Sequence, residues 1–336
     1  RDVAPSRGLG DVYKRQIYFI CIILIFNIME RESFIYKPKI VVIGSCNTDM
    51  VVKAGRLPVP GETVLGGTFY MNPGGKGANQ AIAAARLGAE VTLISKIGYD
   101  LFGLQALEIY RSEKINTEFI FTDQKSPSGV ALISVDSYGE NSIIVAPGAS
   151  RSLSTEDIDK AKSKLEEADI ILMQLEVPIE TVEYAATIAK SYGKKVILNP
   201  APASVLSNSF LSCVHTILPN RIEAEMLSGI KVIDEESAWR AAKAIGEKGI
   251  ENVVITLGKD GAYVKEKEEY TMIPAKEVET IDTTGAGDVF CGAFSVYLSE
   301  NHTLTESVEF ANAAAALAVT RMGAQSAIPY KREIAL

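Results

Sequence analysis

Residues 170–198 read IILMQLEVPIETVEYAATIAKSYGKKVIL, and this stretch decides the fold. It holds an apolar run at Ile170–Leu175, a helical pattern over 179–192 and a second apolar run at Val196–Leu198. Unbroken runs of Val, Ile and Leu mark strands covered on both faces, whereas a half-exposed strand would alternate. The same rhythm extends outward in both directions. Further strands are expected at Ile40–Ile43, Val91–Ile97, Thr216–Leu218 and Val253–Thr256. Helical segments are expected at 76–87, 101–113, 155–167 and 235–248. Strands alternating with helices predict an α/β fold, a doubly wound, mostly parallel sheet with helices on both faces.

Two stretches break the rhythm. Residues 51–72 and 129–146 show short alternating runs, such as Val130-Ala-Leu-Ile-Ser-Val135, cut by turn signals at Pro58, Pro60-Gly61, Gly66-Gly67 and Tyr138-Gly139. They predict a small antiparallel β lid built from two insertions, of the kind that covers a site or forms an oligomer interface.

The chain has 336 residues, 47% hydrophobic and 23% charged, enough for one large core. A net charge of −8 disfavours nucleic acid as a partner, since phosphate backbones select basic faces. Cys21, Cys46, Cys213 and Cys291 form no C-x-x-C pair. Neither zinc nor a redox dithiol is indicated, and free thiols fit a reducing, cytoplasmic location. The apolar run at 17–26 lies behind Lys14 and Arg15. It is shorter than the ~20 residues a membrane span needs, and no small-residue cleavage site follows. Residues 1–36 are therefore expected to be a non-domain extension, with no membrane partner, and 37–336 to be the folded domain.

The strongest local signal is Asp282-Thr283-Thr284-Gly285-Ala286-Gly287-Asp288, which opens a helical pattern running to about Ser299. Glycines at a helix start expose backbone N–H groups that, with the helix dipole, form an anion hole. A carboxylate beside bound phosphate lowers affinity, but it suits a base that takes the proton of an attacking hydroxyl. The alternative is that Asp288 simply caps its helix. A second loop, Gly74-Gly75-Lys76-Gly77-Ala78-Asn79-Gln80, offers polar donors at another helix start and suits a polyhydroxylated ligand. It is no Walker A loop, because Gly77 follows Lys76, and neither loop completes G-x-G-x-x-G.

These two loops, in this order, resemble the signature regions of the PfkB (ribokinase-like) family of carbohydrate kinases. The resemblance runs from about Ile40 to Pro329. It includes Gly44-Ser-Cys-Asn-Thr-Asp49, Pro60-Gly-Glu-Thr63, Leu172-Met-Gln-Leu-Glu176, Asn199-Pro-Ala-Pro202, Pro219-Asn220 with Glu223, Thr256-Leu-Gly258 and Gly323-Ala-Gln325. It implies ATP-dependent phosphorylation of D-ribose at its 5-hydroxyl, with Asp288 as base and Gly285, Ala286 and Gly287 as the anion hole. It places the sugar on Asn47, Thr48, Asp49, Gly75, Lys76, Gly77, Ala78, Asn79 and Glu176, together with Asp288. Asn47 and Asp49 also have the residue types of a plain strand-to-loop turn.

For the nucleotide, the resemblance implies Asn220, Glu223, Thr256, Leu257, Gly258, Lys259, Asp260, Gly261, Gly287, Asp288 and Asn312. Glu223 would act on Mg²⁺ through water. A monovalent cation, K⁺, is implied at Asp282, Thr284, Ala318, Arg321, Gly323 and Ala327, largely through backbone carbonyls. Serine is frequent in the family where this chain has Ala327. The lid is implied to pair with its counterpart in a homodimer, with Val64, Leu65, Phe69, Ile133 and Ile143 as candidate contacts. The competing readings are a fructokinase-like or nucleoside kinase of the same family, and a non-catalytic sugar-binding protein on the same fold. Gly285, Gly287 and Asp288 being all present disfavours the second.

Overall fold

The computed structural model describes residues 36–138 and 140–335. The apolar run at 17–26, the rest of the expected extension up to residue 35, Cys21 and the turn glycine Gly139 lie outside the described residues. Residues Pro38–Leu336 form one compact unit.

In chain order the strands are β1 (Lys39–Ile43), β2 (Asn47–Lys53), β3 (Thr68–Gly74), β4 (Glu90–Gly98), β5 (Ile120–Asp123), β6 (Gly129–Val135) and β7 (Asn141–Ala146). They continue with β8 (Ile170–Met173), β9 (Lys195–Leu198), β10 (Thr216–Ile217), β11 (Asn252–Thr256), β12 (Ala262–Glu266) and β13 (Glu269–Ile273). Among the described residues, nine of them form one sheet in the order β13-β12-β11-β10-β9-β8-β1-β4-β5. From β11 to β5 the neighbours are parallel, and the β12–β13 hairpin adds an antiparallel edge.

The unbroken apolar runs have the expected cause. Along β1, Ile40 and Val42 enter one hydrophobic core, while Val41 and Ile43 enter the other. Successive side chains point to opposite faces, so both faces of the strand are covered. The first core is roofed by helices Lys76–Arg86, Ala286–Ser299 and Leu304–Ala318. The second is covered by helices Ile179–Ser191 and Glu235–Gly246, among others. At Gly292 a Cβ would lie 2.6 Å from that of Ala83, so the first two roofing helices approach more closely there than a larger residue permits.

The expected strand Ile170–Leu175 ends at Met173, and the expected helix 155–167 is broken at Ala161 into Thr155–Lys160 and Lys162–Glu167. The smaller sheet has the order β3-β2-β6-β7. Its outer pairs are antiparallel hairpins, and the central β2–β6 pair that joins them is parallel. It also begins earlier than the insertion at 51 suggests, because β2 starts at Asn47.

Chain order reverses direction at β1, which lies between β8 and β4. In open α/β sheets, ligands bind beyond the carboxyl ends of strands at such a switch point. Ser45, Gln174, Glu176, Asn199, Asn220 and Thr256 all lie at or just past the carboxyl ends of β1 and β8 to β11.

Candidate active site

Gly285 adopts the left-handed conformation, with φ of 74°, and starts helix Ala286–Ser299 without a side-chain cap. Asp288 sits in the first turn of that helix and is 6% exposed. It does not cap the helix. Its Oδ2 accepts a hydrogen bond from Asn79 Nδ2 at 2.9 Å, and its Oδ1 accepts one from Gln80 Nε2 at 3.0 Å. The carboxylate is thus turned across to the second glycine loop, which removes the capping alternative. A Cβ at Gly287 would meet no atom within 4 Å, so that glycine keeps space open over the helix start. The resulting cleft is lined by Gly285 to Asp288 and Thr283 on one side, and by Lys76, Asn199, Asn220, Glu223 and Thr256 on the other.

Asn47 and Asp49 share one face of β2, where Asp49 lies within electrostatic reach of Glu176, Asp288 and Lys76, and strand alternation turns Thr48 to the other face. They are strand residues of the lid rather than a turn. Gly75 has φ of 90°, and a Cβ there would fall 2.7 Å from the Asn47 backbone nitrogen. Only glycine allows the lid strand to pass this close to the start of the Lys76 helix. Gly77 and Ala78 are buried and brace this crossing: a Cβ at Gly77 would lie 2.6 Å from Gly44 C, and Ala78 N donates to Ser45 O at 3.0 Å. Glu176 Oε2 accepts from Ser45 Oγ and, at 3.1 Å, from Lys76 N.

The charges of this end are coupled. Burial, then Glu176 and Asp288, raise the Asp49 carboxyl to about 6, against the pull of Lys76. Asp288 in turn is the main cause of the raised Lys76 ammonium pKa, so Lys76 stays a cation although half-buried. Burial pushes Glu223 upward as well, and the Cys291 thiol far upward. A fixed cation among several acids is an arrangement that accepts a polyanion on one side and hydroxyl groups on the other.

At the other end, Asn220 caps helix Arg221–Ser228 in a reciprocal box with Glu223. Glu223 Oε2 accepts from Asn220 N and Glu223 Oε1 from Asn220 Nδ2, both at 2.8 Å. A β-bridge joins Asn220 to Thr256. The Thr256–Gly261 loop therefore starts beside the cleft, and its Asp260 is ion-paired with Arg221 at 2.7 Å. Leu257 is buried and Lys259 is exposed on a short 3₁₀ turn, Gly258–Asp260. Asn312, from helix Leu304–Ala318, donates to Pro274 O at 3.2 Å and lies across from that loop.

Of the expected cation residues, hydrogen bonds bring Asp282, Thr284 and Gly323 together. Asp282 Oδ1 accepts from Thr284 N and Oγ1, at 2.9 and 2.7 Å, and its Oδ2 accepts from Gly323 N at 2.9 Å. These hydrogen bonds outweigh burial and hold the Asp282 carboxyl below its usual range. Ala318 and Ala327 are buried, and the Arg321 side chain is committed to Glu333 at 2.8 Å. Only its backbone is available to a cation.

Several site residues have no role in the sequence reading: Ser45, Gln80, Gln174, Asn199, Thr283, Cys291 and Gln325. Gln80, Gln174, Asn199 and Gln325 form a buried amide network with Asn79 around the Asp288 carboxylate. The available signal was the placement of amides inside apolar strand ends, as in Leu172-Met-Gln-Leu, where a buried polar group needs a partner.

Residues 37–331 match the family model described as pfkB family carbohydrate kinase. The chain belongs to the pfkB family of carbohydrate kinases. It is 46% identical over 292 residues to ribokinase of Haemophilus influenzae, covering 87% of this chain and 95% of that protein. It is 38% identical over 291 residues to deoxyribokinase of Salmonella typhi, covering 86% and 95%. The structure of Arabidopsis thaliana ribokinase complexed with ribose and ATP superposes with a TM-score of 0.81 at 30% identity, covering 88% of this chain and 97% of that one. As a pfkB kinase the chain has the mostly parallel sheet and separate small sheet of these neighbours. Among the described residues no helix is long and apolar enough to cross a membrane.

Proposed function

We propose that this pfkB kinase transfers the γ-phosphoryl group of ATP to the 5-hydroxyl of D-ribose, giving D-ribose 5-phosphate and ADP. The observation that carries this reading is the buried Asp288 carboxylate, held by two amide donors at the mouth of the Gly285–Gly287 turn. The sugar hydroxyl attacks the γ-phosphorus, its proton passes to Asp288, and the bond to the β–γ bridging oxygen breaks to release ADP. Backbone N–H groups of the Gly285–Gly287 turn stabilise charge growing on the transferring phosphoryl oxygens. Lys76 supplies a fixed positive charge beside them. Asn47, Asp49 and Glu176 hold the remaining hydroxyls, and Asn47 Oδ1, buried without a partner, is free to accept from one.

Asn220, the Thr256–Gly261 loop and Asn312 flank the nucleotide. Bound Mg²⁺ neutralises phosphate charge and orients the phosphates. Both Glu223 oxygens already accept from Asn220, which fits a contact through metal-bound water rather than direct ligation. K⁺ belongs beside Asp282 and the carbonyls of Thr284, Ala318, Arg321, Gly323 and Ala327, donors that suit a large, weakly hydrated ion. Ala327 can offer it only a carbonyl. The free thiols of Cys46, Cys213 and Cys291 and the use of ATP support a cytoplasmic enzyme.

The test is phosphorylation of D-ribose, 2-deoxyribose, fructose and adenosine under one set of conditions, with and without K⁺. D-ribose is expected to give the largest kcat/KM and to be turned over faster with K⁺. A larger value with 2-deoxyribose would move the assignment to the specificity of the Salmonella relative. Turnover of fructose or adenosine above both pentoses would overturn it.

A further inference from the structure

We propose that Gln80 is a positioning residue for the base: its amide, locked in one orientation by a chain of buried amides anchored on a backbone carbonyl, fixes one oxygen of Asp288. The proposal rests on Asp288 being the base and deepens that reading.

The orientation follows from one group that cannot flip. Leu218 O is an acceptor only, and Asn199 Nδ2 donates to it at 3.0 Å. Asn199 must therefore turn its Oδ1 toward Gln80, whose Nε2 donates to it at 3.2 Å. The second hydrogen of Gln80 Nε2 goes to Asp288 Oδ1 at 3.0 Å. Gln80 Oε1 is occupied by Gln174 Nε2 at 2.5 Å. A flipped Gln80 would set its oxygen against two other oxygens and its NH₂ against that of Gln174. Gln80 is fully buried and both its amide atoms are partnered, whereas Gln174 Oε1 and Gln325 Oε1, further out in the network, have no partner, so the orientation of Gln80 is set by Asn199 and Asp288.

The geometry of the base is thereby tied to the carboxyl ends of β8, β9 and β10, where Gln174, Asn199 and Leu218 stand. A symmetrical restraint acts on the other oxygen, where Asn79 donates to Asp288 Oδ2 and accepts from Gln325 Nε2 at 3.1 Å. With each oxygen holding one amide N–H, the remaining lone pairs have fixed directions. The charged and titratable groups facing Asp288 are Lys76 from the second glycine loop, Glu223 from helix Arg221–Ser228, Asp49 from β2 and Cys291 from its own helix.

The test uses the full chain carrying Gln80→Met, Gln80→Glu or Gln174→Met. Steady-state kcat and both KM values are measured across pH, beside thermal unfolding. Gln80→Met is expected to lower kcat about tenfold with both KM values little changed. The acid limb of its kcat/KM profile should move up by about one unit, so that raising pH recovers part of the loss. Gln174→Met touches neither Asp288 nor the cleft, and it should move the limb the same way by less, by freeing Gln80 to turn. Gln80→Glu keeps the size but sets a second carboxyl against the base, and should move the limb furthest. Acid limbs that coincide with the unsubstituted enzyme in every variant that folds would overturn the proposal. So would a pattern in which KM rises while kcat holds. If Gln80→Met does not fold, Gln80→Glu and Gln174→Met decide by the same criteria. Near-normal turnover by Asp288→Asn would sink the base itself. An inactive Asp288→Asn beside an unshifted Gln80→Met sinks only the role of Gln80.

Discussion

Asp288, the proposed base, is buried among other acids. Replacing it with Asn keeps the size and removes the proton acceptor. Asp288→Asn is expected to lower phosphoryl transfer by ~10²–10⁴, with sugar and ATP binding largely kept, as steady-state kinetics and calorimetry will measure. Gly287→Val tests the adjacent space. No atom lies within 4 Å of a Cβ there, so the fold should tolerate it, while the side chain enters the phosphoryl position. Turnover should collapse and ribose binding persist; the reverse pattern would exchange the roles of the two glycine loops. Asp49 gives a pH signature, since its carboxyl is raised to about 6. Sugar KM should rise as pH falls through about 6, because the protonated form no longer accepts two strong hydrogen bonds. The stability effect has the opposite sense: a raised carboxyl contributes below its unfolded pKa, and the contribution is lost as pH rises through 6. At this scale the placement of Asp288 inside the helix start rather than at its cap was legible, because glycines on both sides of Ala286 made a plain cap a poor explanation. Gln80 was not legible, because its function depends on Gln174 and Asn199, distant in sequence.

Helix Lys76–Arg86 shows how one element serves the site from both ends. Its first turns carry Lys76, Asn79 and Gln80, and its last residue clamps the C-terminal segment. Arg86 Nη1 donates to Gln325 O and Ile328 O, both at 2.8 Å, and its guanidinium pairs with Glu113 in a nearly buried contact. Removing one partner of a buried pair leaves the other charge uncompensated, at a cost of about 3–5 kcal/mol. Arg86→Ala is expected to destabilise the fold by roughly that amount in denaturant unfolding. It should also loosen the segment that carries Gln325 and the proposed K⁺ donors, visible as a raised K⁺ requirement in the turnover assay. A loss below about 1 kcal/mol would show that the clamp is no stronger than a surface pair. The central strands were legible because their runs are apolar on both faces. β5, the β12–β13 hairpin and helix Leu304–Ala318 have no place in the sequence reading, for physical reasons. The hairpin strands mix charged and apolar residues at an edge, as in Ala262-Tyr-Val-Lys-Glu266. The helix is buried nearly all round and Ala-rich, so no amphipathic stripe marks it.

The lid gives the whole molecule a surface that a single chain leaves open. Strand register sorts its residues into two faces. Asn72, Asp49, Ala131 and Val145 form one cross-strand row, and Tyr70, Val51, Ile133 and Ile143 the next on that same face, which Asp49 places toward the cleft. The opposite face carries Met71, Met50, Leu132 and Ile144, then Phe69 and Val52. Phe69 is 57% exposed, Leu132 53% and Ile144 67%. Of the contacts expected from sequence, Leu65, Phe69 and Ile143 are exposed, while Val64 and Ile133 are half-buried. Ile133 and Ile143 share the Asp49 face, but Ile133 stands on the internal strand β6 and Ile143 on the edge strand β7. A contiguous apolar face of this kind on one side of a small sheet marks an interaction surface. We propose that it meets its counterpart in a two-fold dimer, an arrangement in which one patch serves both subunits. Phe69→Glu with Ile144→Asp places charges on this face without touching the residues around Asp288. Sedimentation at micromolar concentration should give a dimer for the unsubstituted chain and a monomer for the double variant. The monomer should keep its cleft but close it poorly, so sugar KM should rise more than kcat falls. A dimer that survives the double substitution would place the interface on the α/β sheet domain, and a monomeric unsubstituted chain with full activity would remove the dimer altogether.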